Sequence, residues 1–110
     1  METEKSGMNS ERIKTLEQWI KEDPNDPFNK YGLAMELSQS QPERATALFT
    51  ELLTSHPDYL ATYYIAAQFF SQSEPDKVIA ILEVGIELAK KQNNEKTFRE
   101  LRSALEELRF

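Results

Sequence analysis

A seven-residue stretch occurs twice with conservative changes, 33 positions apart: Ser38-Gln39-Ser40-Gln41-Pro42-Glu43-Arg44 returns as Ser71-Gln72-Ser73-Glu74-Pro75-Asp76-Lys77. A fixed period of this size marks stacked supersecondary units, each burying its apolar face against a neighbour. The same shift carries Pro24 onto Pro57, Tyr31 onto Tyr64, Ala34 onto Ala67, Leu37 onto Phe70, Ala47 onto Ala80 and Phe49 onto Leu82.

Within a unit the apolar residues recur at helical spacing: Leu33, Ala34 and Leu37, then Ala45, Leu48, Phe49, Leu52 and Leu53. Each unit therefore reads as helix, turn, helix. Asp26-Pro27 supplies an N-cap and a first-turn proline, and Pro42 and Pro75 suit the starts of second helices, where a missing N–H costs no hydrogen bond. The second helix of the second unit, about 75–91, carries Val78, Ile81, Leu82, Gly85, Ile86 and Leu88 on a broad face and ends at Gln92-Asn93-Asn94.

Upstream, Ile13, Leu16, Trp19 and Ile20 stripe a helix over 10–22; downstream, Phe98, Leu101, Leu105 and Leu108 stripe another over 94–110. These end helices are expected to cap the array, since stacked hairpins expose apolar surface at both ends. The expectation is an all-α chain of about six helices. It comprises a disordered tail over 1–9 and a single domain over 10–110, with an N-terminal helix (10–22), repeats over 24–56 and 57–91, and a C-terminal capping helix (94–110).

The pattern resembles the tetratricopeptide repeat. In that family the first helix holds an apolar-small pair followed by a large residue, places filled here by Leu33-Ala34 with Leu37 and Ala66-Ala67 with Phe70. The second-helix pattern is met by Ala45 and Phe49, and by Val78, Leu82 and Gly85; helix-ending prolines stand at Pro24 and Pro57. Departures are the period, one short of the usual 34 through tight turns before Pro42 and Pro75, Leu52 in place of a small residue, and Lys30 and Tyr63 where the family has an early Trp.

The resemblance implies antiparallel hairpins stacked as a short right-handed superhelix, with first helices lining a concave, ligand-contacting face. Removing the packing positions leaves Phe28, Tyr31, Gly32, Met35 and Ser38 on one first helix, and Ala61, Tyr64, Ile65 and Gln68 on the other. From these, Phe28, Tyr31, Met35, Tyr64, Ile65 and Gln68 are the candidate partner-binding residues. Tyr buries a large ring while its hydroxyl finds a polar partner, and Met adapts to irregular ligands. The competing account is that they pack against the end helices or stiffen the hairpins. Some family members clamp a terminal carboxylate with Lys, Asn and Arg; here the matching positions hold Tyr31, Met35, Tyr64 and Gln68, so the partner implied is apolar or amphipathic.

Formal net charge is -6, and residues 23–91 hold ten Asp or Glu against five Lys or Arg. Such a field repels phosphate backbones and argues against nucleic acid, while suiting protein or peptide partners, basic ones included. No apolar run approaches the roughly 20 residues that span a bilayer, and Met1–Asn9 is polar with no signal core, so no membrane contact and a cytoplasmic location are expected.

Without Cys there is neither disulfide nor thiolate ligand. His56, the sole His, sits in the Ser55-His56-Pro57 turn, where a solvated loop residue is the simpler account than a base or ligand. Glu106 and Glu107 point about 100° apart on a helix, and Gly7, Gly32 and Gly85 are too scattered for a phosphate loop. The reading is a non-enzymatic interaction module or adaptor with no cofactor and no metal. The alternative is a self-associating structural module, a homodimer through terminal helices in which Leu108-Arg109-Phe110 pairs with a second copy and buries Trp19 or Phe98.

Overall fold

The computed structural model describes the backbone of residues 2–108 and the side chains of residues 10–108. Among the described residues there are six helices and no strand: α1 (Glu2–Glu22), α2 (Pro27–Leu37), α3 (Pro42–Ser55), α4 (Ala61–Phe70), α5 (Pro75–Lys91) and α6 (Glu95–Leu108). The chain divides into two compact units, Met1–His56 and Pro57–Phe110, where a single domain over 10–110 is expected. The division falls between the two repeats, as it must when each helical hairpin makes most of its contacts with itself and its own end helix.

α1 starts at Glu2 rather than near Ser10, so the backbone of 2–9, expected as a disordered tail, continues the helix. Glu2, Glu4, Lys5 and Met8 are good helix formers, and propensity extends α1 past the point where its apolar stripe begins. Met1, Arg109 and Phe110 lie outside the described residues, and with them the end of the expected Leu108-Arg109-Phe110 stripe.

The seven-residue repeat is a repeated turn. Ser38 N–H and Oγ–H both donate to Met35 O (3.3 and 2.9 Å), and Ser71 N–H and Oγ–H donate to Gln68 O (3.3 and 2.8 Å). Each Ser thus satisfies a carbonyl that the helix end would otherwise orphan. Gln41 N–H then donates to Leu37 O and Glu74 N–H to Phe70 O, both at 2.8 Å. Backbone angles match as well: φ -138, ψ 69 at Gln41 and φ -142, ψ 67 at Glu74, each leading into a first-turn proline.

In the first unit α2 buries Lys30, Leu33, Ala34 and Leu37, and α3 buries Ala45, Phe49 and Leu52. A fully buried Phe or Leu adds roughly 1.5–3 kcal/mol, so Phe49, Leu37 and Leu52 anchor the pair. α1 lies on α2 with Leu16 over Gly32, and half-exposed ion pairs join Arg12 to Glu36 and Glu17 to Arg44, each at 2.7 Å.

In the second unit the helices bury Thr62, Tyr63, Ala66, Ala67 and Phe70 of α4, Val78, Ile81, Leu82, Gly85 and Ala89 of α5, and Leu101 and Leu105 of α6, and Leu60 is buried just before α4. The Gln92-Asn93-Asn94 turn both ends α5 and starts α6. Asn93 adopts φ 57, the left-handed conformation that Asn tolerates better than most residues, and Asn94 N–H reaches back to Ala89 O at 2.9 Å. The Asn94 carboxamide oxygen then accepts from Thr97 N–H at 3.0 Å, capping α6.

Candidate partner-binding faces

Asp26 fixes the start of α2: its carboxylate accepts from Phe28 N–H at 3.0 Å while Pro27 takes the first helical position. With that start fixed, the spacing of Phe28, Tyr31 and Met35 gathers them on one side of the helix, away from its buried face. Phe28 is 61% exposed and Met35 43%, whereas Tyr31 is half-buried. Loss of water around the Tyr31 ring raises its hydroxyl above the ordinary phenol value. Packing against α1 therefore does not account for Phe28 and Met35.

A third exposed apolar residue joins them. Arg12 pairs with Glu36 and Leu16 covers Gly32, so each step up α1 is a step down α2, and Trp19 comes level with Phe28 and Asn29. Trp19 stands seven residues after Arg12, on nearly the same side of α1. It is 48% exposed, although its stripe with Leu16 and Ile20 reads as a packing position. Stripe spacing locates the buried side of a helix but not the width that its neighbour covers.

The buried side of α2 holds a cation. Lys30 is buried and its ammonium donates to a Glu51 carboxylate oxygen at 2.7 Å, with the Glu51 side chain 45% exposed. The position where the related pattern has Trp is thus filled by an aliphatic stem whose charge is answered from α3.

In the second unit, Tyr64 and Ile65 are half-buried and Gln68 is exposed. Tyr64 and Gln68, one turn apart, line an open cavity of about 300 Å³ with Ser71 of the following turn and with Ala104, Glu107 and Leu108 of α6. Ile65 is not among the lining residues. α6 therefore runs beside these side chains without closing over them. A larger cavity, about 410 Å³, lies at the α5–α6 turn, lined by Lys90, Asn93, Asn94, Glu95, Phe98 and Arg99 among others. Lys90 Nζ stands 6.0 Å from the Phe98 ring centroid there. That hollow belongs to the turn and holds none of the candidate residues.

His56 ends α3, its N–H donating to Leu52 O at 2.9 Å. Among the described residues no three His, Asp or Glu side chains gather to hold a metal ion, and no helix is long and apolar enough to cross a membrane.

No family model matches the chain, and no curated protein matches it. Solved structures do. The chain is similar to a tetratricopeptide repeat domain protein from Salinibacter ruber in its solution NMR structure, at 36% identity and a TM-score of 0.72, covering 78% of this chain and 89% of that one. It is also similar to a crystal structure of a tetratricopeptide repeat domain protein from Salinibacter ruber, at 36% identity and a TM-score of 0.70, covering 76% and 97%. An all-α helical repeat thus defines the class, and this chain belongs to the tetratricopeptide repeat family. Proteins of this fold generally mediate protein–protein interaction.

Proposed function

We propose that the protein is a non-enzymatic adaptor that binds a peptide or helix of a partner through the exposed sides of its two first helices: Phe28, Tyr31 and Met35 on α2, and Tyr64, Ile65 and Gln68 on α4. The observation that carries this is the exposure of Phe28 and Met35, at 61% and 43%, on a helix whose opposite side is fully packed. Large apolar side chains left in water on one helix side are the material of an interface core. The uncharged character of all six residues suits an apolar or amphipathic ligand.

The test is affinity capture from source-cell lysate with wild type and with Phe28→Ala/Met35→Ala, after matching both for helicity and mass. Proteins held by wild type and lost by the variant support the reading; identical sets sink it.

A second reading, self-association through the end helices, draws on Trp19 and Leu108, 48% and 47% exposed on α1 and α6. It requires a solution mass that rises with concentration and falls on Leu108→Glu.

A further inference from the structure

The exposed apolar side chains of the first unit are flanked by unequal charge at their two ends. Trp19 and Phe28 sit level beside the α1–α2 turn, and Met35 lies two turns along α2, about 10 Å away by helix rise. Gly32, between Phe28 and Met35 in the chain, is covered by Leu16 of α1, so α1 packs close beside the two exposed side chains.

At the Met35 end, the neighbouring Glu36 is answered by Arg12 at 2.7 Å. At the turn stand Glu22, Asp23 and Asp26, which form no ion pair among the described residues. Glu22 accepts only from the neutral Gln18, and Asp26 from the Phe28 backbone. Glu22 is one turn beyond Trp19 on the same side of α1, whereas Lys21 projects about 200° round the helix from Trp19. The apolar face is thus flanked by three carboxylates without an ion pair at the turn, against Glu11 alone at the Met35 end.

We infer that the Trp19–Phe28–Met35 face docks an amphipathic helix that places apolar side chains about two turns apart and a basic residue over the α1–α2 turn. This rests on the adaptor reading and adds to it the chemistry of the partner and a contact, Trp19, from outside the repeats. A helix suits the site because α2 offers its anchors at helical spacing, and a ligand helix lying along it meets them with residues i, i+3 or i+4, and i+7. The acidic rim fixes which end lies over the turn and disfavours acidic ligands.

Trp19 is the single Trp of the chain and so reports occupancy of the face directly. The probes are three synthetic, Trp-free amphipathic helices with the same leucine face, flanked at both ends by Lys, Gln or Glu, titrated against Trp19 emission. The Lys-flanked helix is expected to shift emission to shorter wavelength and to bind at least about tenfold more tightly than the Glu-flanked one. That preference should vanish at about 1 M salt, where the screening length is about 3 Å, and in Glu22→Gln/Asp23→Asn/Asp26→Asn, in which Asn preserves the α2 cap.

Equal affinity for all three helices overturns the charged-rim inference while leaving the adaptor reading standing. Binding by none overturns the docking helix, and the capture comparison then judges the adaptor reading by itself. A shift that grows with protein concentration before any helix is added also overturns the inference, since a second copy then fills the face.

Discussion

A Cβ placed on Gly85 of α5 would stand 2.8 Å from Cβ of Tyr63 on α4 and 3.1 Å from Tyr63 Cγ and Leu101 Cδ1. The helices meet there at backbone distance, and neither Tyr63 Cβ nor the backbone behind it can swing aside. Gly85→Ala should therefore destabilise by about 1–3 kcal/mol through overpacking, even though Ala is the better helix former. Gly32 is the opposite case: its added Cβ would meet the flexible end of Leu16 at 3.4 Å. Gly32→Ala should stabilise by about 0.5–1 kcal/mol. Urea midpoints of the two variants should move in opposite directions.

The ammonium of the buried Lys30 is partnered by the Glu51 carboxylate at 2.7 Å. Glu51→Ala leaves an ammonium buried without its carboxylate and should cost about 1 kcal/mol, a modest figure because Glu51 is nearly half exposed. Lys30→Met keeps the stem and removes the charge, and should stay within about 1 kcal/mol of wild type. Thermal unfolding of both variants and of the double replacement, read as a cycle, checks the coupling.

Tyr63 donates its hydroxyl to Pro57 O at 2.6 Å, and burial, then the nearby Asp58 charge, raise it above the ordinary value of 10.0. The unfolded chain ionises this group more readily than the folded one. Its contribution to stability is thus complete below about pH 10 and is lost as pH rises through the raised value. Tyr63→Phe should cost about 1 kcal/mol at pH 7 by leaving Pro57 O without its donor and should flatten the alkaline decline. Urea midpoints from pH 7 to pH 11 measure both effects.

Phe28 and Met35 lie on the water side of α2, so Phe28→Ala and Met35→Ala should each change stability by no more than about 0.5 kcal/mol. Leu33→Ala, on the packed side, should cost about 2–5 kcal/mol. Chemical denaturation of the three variants distinguishes an exposed binding side from a hidden packing side.

The legible parts of the fold were those that punctuation residues mark. Pro27, Pro42 and Pro75 set the starts of α2, α3 and α5, and the Asn93-Asn94 pair sets the α5–α6 turn. α4 was harder to bound. It begins at Ala61 with no capping side chain, entered through i to i+3 turns in which Thr62 N–H meets Tyr59 O and Tyr63 N–H meets Leu60 O. Pro57 marks the unit but not that helix.

The Lys30–Glu51 pair joins residues 21 apart on two helices and has no local signature. The exposure of Trp19 does not follow from its place in a stripe, because apolar spacing assigns a residue to a stripe, whereas exposure depends on how far the neighbouring helix reaches. The candidate residues on α2 and α4 followed from subtracting packing positions, a procedure blind to side chains at the edge of the packed face.

The most direct test of the adaptor account is amide chemical-shift mapping on the isotope-labelled protein titrated with the partner segment that capture identifies. The account predicts perturbations concentrated over Phe28–Met35 and Tyr64–Gln68. Perturbations confined to the exposed sides of α3 and α5, with those two stretches unmoved, would contradict it.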